Sequence, residues 1–154
     1  MNNSALPAGD YLGFDYGSIR IGLAVGNTII GTTQPLLTLS NNSGTPDWTP
    51  IDKAVSDWAP SGLVVGIPLT LDGNDQPITP HARGFLKALK KRYQITTHAA
   101  DERFSSMQAQ QELQKMRARG QHGKTQKQDV DKLAAALILE HWFAEHTFEV
   151  AKSG

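Results

Sequence analysis

Tyr11-Leu12-Gly13-Phe14-Asp15-Tyr16-Gly17-Ser18-Ile19-Arg20-Ile21-Gly22-Leu23-Ala24-Val25 is the stretch whose reading decides the fold. Tyr11 to Asp15 is short, apolar and aromatic, the composition of a strand. Tyr16-Gly17-Ser18 reads as a turn. Ile19, Ile21, Leu23 and Val25 then alternate with Arg20, Gly22, Ala24 and Gly26. That period of two predicts a second strand, paired with the first as a hairpin. Asp15 is left at the end of the first strand.

Working outward, Leu36–Leu39 suggests a third strand and Asn41–Pro46 a polar loop. Asp47–Trp58 has helical spacing, with Ile51, Val55 and Trp58 on one stripe. Leu63-Val64-Val65-Gly66-Ile67 is a continuous apolar run between Gly62 and Pro68, which suits a strand buried on both faces. A Gly/Pro/Asp-rich loop over 68–80 follows. Ala82, Phe85, Leu86, Leu89 and Tyr93 mark the next helix, and Ile95–Ala100 the next strand. A helix is predicted over about 105–118, a basic glycine-containing loop over 120–128, and a last helix over about 129–146 burying Val130, Leu133, Ala134, Leu137 and Ile138. An antiparallel meander followed by βα units, with no repeat and no linker, predicts an α/β fold with a five-stranded mixed sheet flanked by helices. Residues 10–150 form a single domain on this reading, behind a short disordered lead over 1–9.

Composition narrows the function classes. At 154 residues the chain fits one domain with a real core. It has no apolar run long enough to span a membrane, and residues 1–9 lack the basic and apolar regions of a signal peptide. The absence of cysteine excludes disulfides, a thiolate nucleophile and a Cys-based zinc site. A cytoplasmic address is the expectation. The net charge of zero conceals an asymmetry: residues 1–80 sum to −5 and residues 81–154 to +5. Lys115, Arg117, Arg119, Lys124 and Lys127 fall in an acid-free segment with His122, and Lys87, Lys90, Lys91 and Arg92 form a second group. Such clusters suit either a nucleic-acid footprint or a solvated helix face.

Three acids sit at the edges of predicted elements. Asp15 ends the first strand, Glu102 follows the strand at 95–100, and Asp131 opens the last helix. Strand ends are where open α/β sheets gather their sites. Convergent carboxylates hold hard divalent cations such as Mg²⁺, with Mn²⁺ an alternative, and paired metals cleave phosphodiesters. Each acid also has a plainer explanation. Asp15 and Gly17 favour a simple turn, although Gly17 would equally let a phosphate or metal near the backbone. Asp101-Glu102-Arg103 suits a surface ion-pair cluster, or Asp101 a helix cap and Arg103 a phosphate contact. A carboxylate in a first helical turn is favoured by the helix dipole, and Asp129 competes with Asp131 there. Arg20, on the polar side of the second strand, is in reach of a phosphate. Asp72-Gly73 suits a turn. The five histidines show no metal spacing and suit surface or packing roles, and Trp48, Trp58 and Trp142 suit packing better than base stacking.

Taken in order, Asp15-Tyr16-Gly17 with Arg20-Ile21-Gly22-Leu23-Ala24, Gly66-Ile67-Pro68 with Asp72-Gly73, Asp101-Glu102-Arg103-Phe104-Ser105, and Asp131 with Ala134-Ala135 and Ile138-Leu139 resemble the YqgF family, also called RuvX. The resemblance covers about residues 10–146. It implies a ribonuclease-H-like fold and a metal-dependent nuclease in which Asp15, Glu102 and Asp131 are both catalytic residues and metal ligands, and it selects Asp131 over Asp129. Members have been described as Holliday-junction resolvases and as nucleases that mature the 5′ end of 16S ribosomal RNA. The chain departs from the family at Thr70, where Asn is common, and at Gln126 and Gln128, where basic residues are common. These departures touch substrate contacts rather than the acids.

The expected function is phosphodiester hydrolysis in 5′-end maturation of precursor 16S ribosomal RNA. Arg20, Arg103, Lys115, Arg117, Arg119, Lys124 and Lys127 would contact the nucleic acid, and the assembling small ribosomal subunit is a candidate partner. Branched DNA is the alternative substrate, and a non-catalytic nucleic-acid binder the alternative class. A pure binder gains nothing from carboxylates beside phosphates. An actin-type ATPase shares the Asp-x-Gly loop but needs two such domains. A junction resolvase should be a dimer. No heptads or apolar strip mark an interface, so a monomer or weak dimer is expected.

Overall fold

The computed structural model of the chain describes residues 5–42, 44–102 and 127–150. In order the elements are β1 (Leu6–Pro7), β2 (Asp10–Tyr16), β3 (Arg20–Asn27), β4 (Thr32–Ser40), α1 (Trp48–Trp58), β5 (Gly62–Pro68), α2 (Thr79–Tyr93), β6 (Thr97–Glu102), α3 (Lys127–Ala144) and β7 (Phe148–Glu149). The main sheet has five strands in the order β4-β3-β2-β5-β6. β2–β3 and β3–β4 are antiparallel, and β2–β5 and β5–β6 are parallel. The mixed five-stranded sheet flanked by helices is therefore as the sequence predicts. The helix expected over 105–118 and most of the loop expected over 120–128 lie outside the described residues.

Alternation along the central strands divides the interior into two cores. Leu12, Phe14, Ile21, Leu23, Leu63 and Val65 face α1 and α2, where Ile51, Ala82, Phe85 and Leu89 complete the first core. Tyr11, Ala24, Val64 and Ala100 face α3 and pack on Ala135, Ile138, Leu139 and Trp142. α1 begins where expected because the Asp47 carboxylate accepts a hydrogen bond from the Thr49 amide at 3.3 Å.

Some boundaries differ, each for a physical reason. β4 runs over 32–40 rather than 36–39. Pro35 interrupts the apolar pattern, yet β4 is an edge strand, where a missing N–H is tolerated. Its register shifts at Leu23/Ala24, with Leu37 opposite Leu23 and Pro35 opposite Ala24. β6 is displaced from 95–100 to 97–102, because Gln94 closes α2 in a left-handed conformation and Ile95 fills the connection. Leu6 and Pro7, expected to be part of a disordered lead, instead pair in parallel with Phe148 and Glu149. The Tyr11 hydroxyl donates to the Pro7 carbonyl at 2.6 Å and ties this small sheet to the second core. That partner comes from the opposite end of the chain, so no local pattern announces it.

α3 is also rotated from expectation. It buries Ala134, Ala135, Ala136, Ile138, Leu139 and Trp142, while Val130, Leu133 and Leu137 are only partly buried. The alanines set this choice by letting the helix axis approach the sheet. The sheet answers with glycines on that face. A Cβ at Gly13 would stand 2.5 Å from Leu139 Cγ, and one at Gly26 would stand 2.7 Å from the Phe143 ring.

Candidate active site at the end of the central strand

Asp15 is the penultimate residue of β2, the middle strand of the sheet, and its side chain faces α3. Its pairing partners are Gly22 on β3 and Gly66 on β5. Neither has a side chain, and each vacated space is used. A Cβ at Gly22 would fall on the backbone carbonyl of Asp131, which the sequence places at the opening of the last helix and which lies one turn inside α3, because the helix starts at Lys127. A Cβ at Gly66 would meet Ile138 and would lie 3.1 Å from Glu102 Cγ. The two glycines thus admit Asp131 on one side of Asp15 and Glu102 on the other. Helix packing brings the first acid, and the end of β6 brings the second.

The electrostatics follow from this crowding. The Asp15 carboxyl is pushed up to about 7, chiefly by desolvation, then by the negative charges of Asp131 and Glu102. The residue still keeps some exposed surface, so the site is reachable from solvent. Asp131 accepts a charge-assisted hydrogen bond from Arg20 Nε at 2.8 Å, and the pair is partly exposed. The Glu102 side chain is 5% exposed, with His141 Nδ1 at 3.6 Å from one carboxylate oxygen. Among the described residues no three Asp, Glu or His side chains converge at ligand distance. The two outer carboxylates are turned toward basic side chains, Asp131 toward the Arg20 guanidinium and Glu102 toward the His141 ring. The donor set fits a hard divalent cation: it is all carboxylate oxygen, and its central member is destabilised by like charges.

The structure separates residues that the sequence left ambiguous. Glu102 is buried on the α3 face and Asp101 is exposed on the other, as strand alternation requires. Asp129 points outward beside Lys132 at 3.6 Å, while Asp131 lies beside Asp15. Gly17 is explained by the turn, since a Cβ there would be 2.6 Å from the Arg20 carbonyl and its own carbonyl accepts from Asn41 Nδ2 at 2.7 Å. Gly73 adopts φ 84 and donates to the Thr70 carbonyl at 2.9 Å, so Asp72-Gly73 is a turn. In the second basic group, Arg92 forks onto Asp52 at 2.9 and 2.8 Å and serves the fold. Arg103, Lys115, Arg117, Arg119 and Lys124 lie outside the described residues, and of Lys127 only the helical backbone is described.

Sequence reading missed His141, Gly22 and Gly66 as parts of this site. For His141 no local signal exists, because its proximity to Glu102 depends on how α3 crosses β6. The glycines did leave a signal: a strand interior is a poor place for glycine unless something approaches closely.

The RuvX family, described as Holliday junction resolvase, matches residues 9–145. The chain belongs to the RuvX family. A Pseudomonas putida protein named "Putative pre-16S rRNA nuclease" is 40% identical over 136 residues, covering 88% of this chain and 95% of that protein. A Legionella pneumophila protein of the same name is 39% identical over 140 residues, covering 91% and 99%. As a RuvX member the chain is a nuclease, a hydrolase acting on phosphodiester bonds. Among solved structures, Thermus thermophilus RuvC in complex with a Holliday junction substrate superposes with a TM-score of 0.52 at 18% identity, covering 88% of this chain and 94% of that one. The yeast mitochondrial Holliday junction resolvase Ydc2 superposes with a TM-score of 0.54 at 12% identity, covering 91% and 80%. These two likenesses concern the fold, which is ribonuclease-H-like.

Proposed function

We propose that this RuvX protein hydrolyses phosphodiester bonds at the 5′ end of precursor 16S ribosomal RNA, with Asp15, Glu102 and Asp131 holding a divalent cation, Mg²⁺ or Mn²⁺. The observation that carries the reading is Asp15 set between Gly22 and Gly66, with the Asp131 backbone against Gly22, Ile138 and the Glu102 side chain against Gly66, and the charges of Asp131 and Glu102 acting on the Asp15 carboxyl. Three acids from three elements meeting at one strand end have no packing benefit and an electrostatic cost. A cation removes that cost. The RNA assignment draws on the names that the RuvX relatives carry.

When bound, the cation would polarise the scissile phosphate and activate a water molecule. The chain's own groups do the rest. Asp15, on the rigid central strand, would hold that cation from the centre, and Glu102 and Asp131 would hold it from either side. Arg20 offers a planar guanidinium at the mouth of the site, suited to a phosphate oxygen. Arg103, Lys115, Arg117, Arg119, Lys124 and Lys127 grip flanking phosphates, which supplies affinity with little sequence readout. Action on the assembling small ribosomal subunit, in the cytoplasm, by a single domain over 10–150 belongs to the same reading. No helix among the described residues is long and apolar enough to cross a membrane.

The family description and the likeness to RuvC favour one second reading, cleavage of four-way DNA junctions. The two are separated by offering a 5′-extended 16S precursor RNA and a four-way junction side by side in Mg²⁺, with Asp15→Asn as control. RNA cleavage lost in the variant supports the proposal. Paired cuts in the junction alone transfer the assignment to recombination. Cleavage by Asp15→Asn at the wild-type rate removes the acid site from the chemistry.

A further inference from the structure

Helix α2 contains a glycine that its packing does not explain. Gly84 lies inside Thr79–Tyr93, and it is exposed. Its φ is not positive, and a Cβ there would meet nothing within 4 Å. A glycine in a helix interior is unfavourable relative to alanine. Gly13, Gly22, Gly26 and Gly66 are each required by a neighbour that approaches closely; Gly84 is not. What it borders is empty space, a cavity of about 450 Å³ lined also by Tyr16, Trp48, Phe85, Thr45 and His81. That volume is within the range of roughly 300–1,000 Å³ typical of small-ligand sites.

The cavity floor is formed by the buried rings of Tyr16 and Phe85, and its aromatic wall is the part-exposed Trp48, held in place by its neighbours. Trp48 and Phe85 stack with centroids 5.9 Å apart at 26°, and Tyr16 and Phe85 lie 5.3 Å apart. The Arg92 guanidinium sits 4.7 Å from the centroid of the Trp48 ring, and Arg92 is itself fixed by its fork on Asp52. An indole clamped this way loses little rotamer freedom when a flat ring packs beside it. Thr45 and His81 put hydrogen-bonding groups at the cavity, which suits the polar edge of a heterocycle better than an aliphatic side chain.

Position ties the cavity to the acid site. Tyr16 follows Asp15 on β2, and alternation sends the two side chains to opposite faces. The acid site and the cavity therefore straddle one strand end. Along α2, Gly84, Ala88 and Lys91 share a face at helical spacing, so an exposed ammonium lies further along the cavity's stripe. A fixed, part-exposed indole, polar edge groups and a nearby cation are among the means by which single-stranded RNA is held.

We propose that this cavity receives one unpaired nucleobase of the RNA strand that the acid site cleaves. The inference rests on the nuclease reading above and adds to it a base-binding subsite that requires single-stranded character next to the scissile bond.

The test combines Gly84→Leu with base removal. Binding is measured by fluorescence anisotropy with a labelled 5′-extended 16S precursor fragment and a series of the same RNA carrying one abasic position each. Leucine favours helices and has open space there, so the variant should melt no lower than wild type while filling the cavity. It should bind the intact RNA about tenfold more weakly, as expected for loss of one stacked base. One abasic position should weaken wild-type binding by a similar factor and leave the variant's binding unchanged. Equal binding by a folded Gly84→Leu protein overturns the subsite while leaving the nuclease reading intact. Should the variant fail to fold, the abasic series on wild type decides alone, and the absence of any sensitive position overturns the subsite. A wild-type protein that neither binds nor cleaves the RNA overturns both readings.

Discussion

At the scale of single residues, Asp15 is the most informative group. Its carboxyl stands near 7 in the folded chain against an ordinary 3.8, because burial and two neighbouring carboxylates oppose its charge. Between those two values the folded protein binds a proton that the unfolded chain has released. Stability contributed by this group is therefore present at low pH and declines as pH rises through that window, by up to about 4 kcal/mol. Asp15→Asn removes the penalty. In the absence of divalent metal the variant should melt above wild type at pH 8, and the difference should vanish near pH 4; equal melting at pH 8 would contradict the crowded-acid geometry. The same variant should lose at least a hundredfold in cleavage rate. A cation must compete with the proton on Asp15, so Mg²⁺ affinity, read by calorimetry, should rise between pH 6 and pH 8. A flat affinity profile would mean that Asp15 is not a ligand.

At the scale of elements, the docking of α3 on the sheet builds the site. Gly22 makes it possible for α3 to touch β3 at Asp131, one turn in from the helix start, and the atom that a Cβ would strike is backbone, which cannot rotate aside. Gly22→Ala should therefore destabilise by about 2–4 kcal/mol in urea melts and reduce cleavage as Asp131 is displaced. A neutral result would show that the helix can shift without cost. Further along α3, Trp142 is 2% exposed and packs on Tyr11 at 5.2 Å and Phe148 at 5.6 Å. It joins the main sheet to the β1–β7 pair. Trp142→Ala should cost about 3–5 kcal/mol by the same assay, and the loss should exceed that of any surface substitution on α1.

At the scale of the whole molecule, charge is divided along the chain: the half with the hairpin and β5 is acidic, and the half with α2 and α3 is basic. Net neutrality gives no general attraction to RNA, so on the proposed function affinity would come from the local basic segment. Replacing Lys115, Arg117 and Arg119 with Gln should reduce the slope of log affinity against log salt by about 2, at roughly 0.7 per phosphate contact for single strands. Melting temperature should be unchanged. An unaltered salt slope would remove that segment from the binding surface.

Much of this molecule is legible in one dimension. Strand and helix types follow from periodicities that any short window contains, and Asp15, Glu102 and Asp131 stand out because each lies at the boundary of such a window. The motifs around them were enough to reach the family. Alternation also predicts which residues of one strand share a face. It does not say which strand lies alongside, at what register, or where a helix crosses. The two glycines beside Asp15, the approach of His141 to Glu102, the pairing of Leu6 with Phe148, and the cavity beside Gly84 all depend on those relations. Each joins residues far apart in the chain, so the contact exists only after the sheet has paired and both helical layers have closed over it.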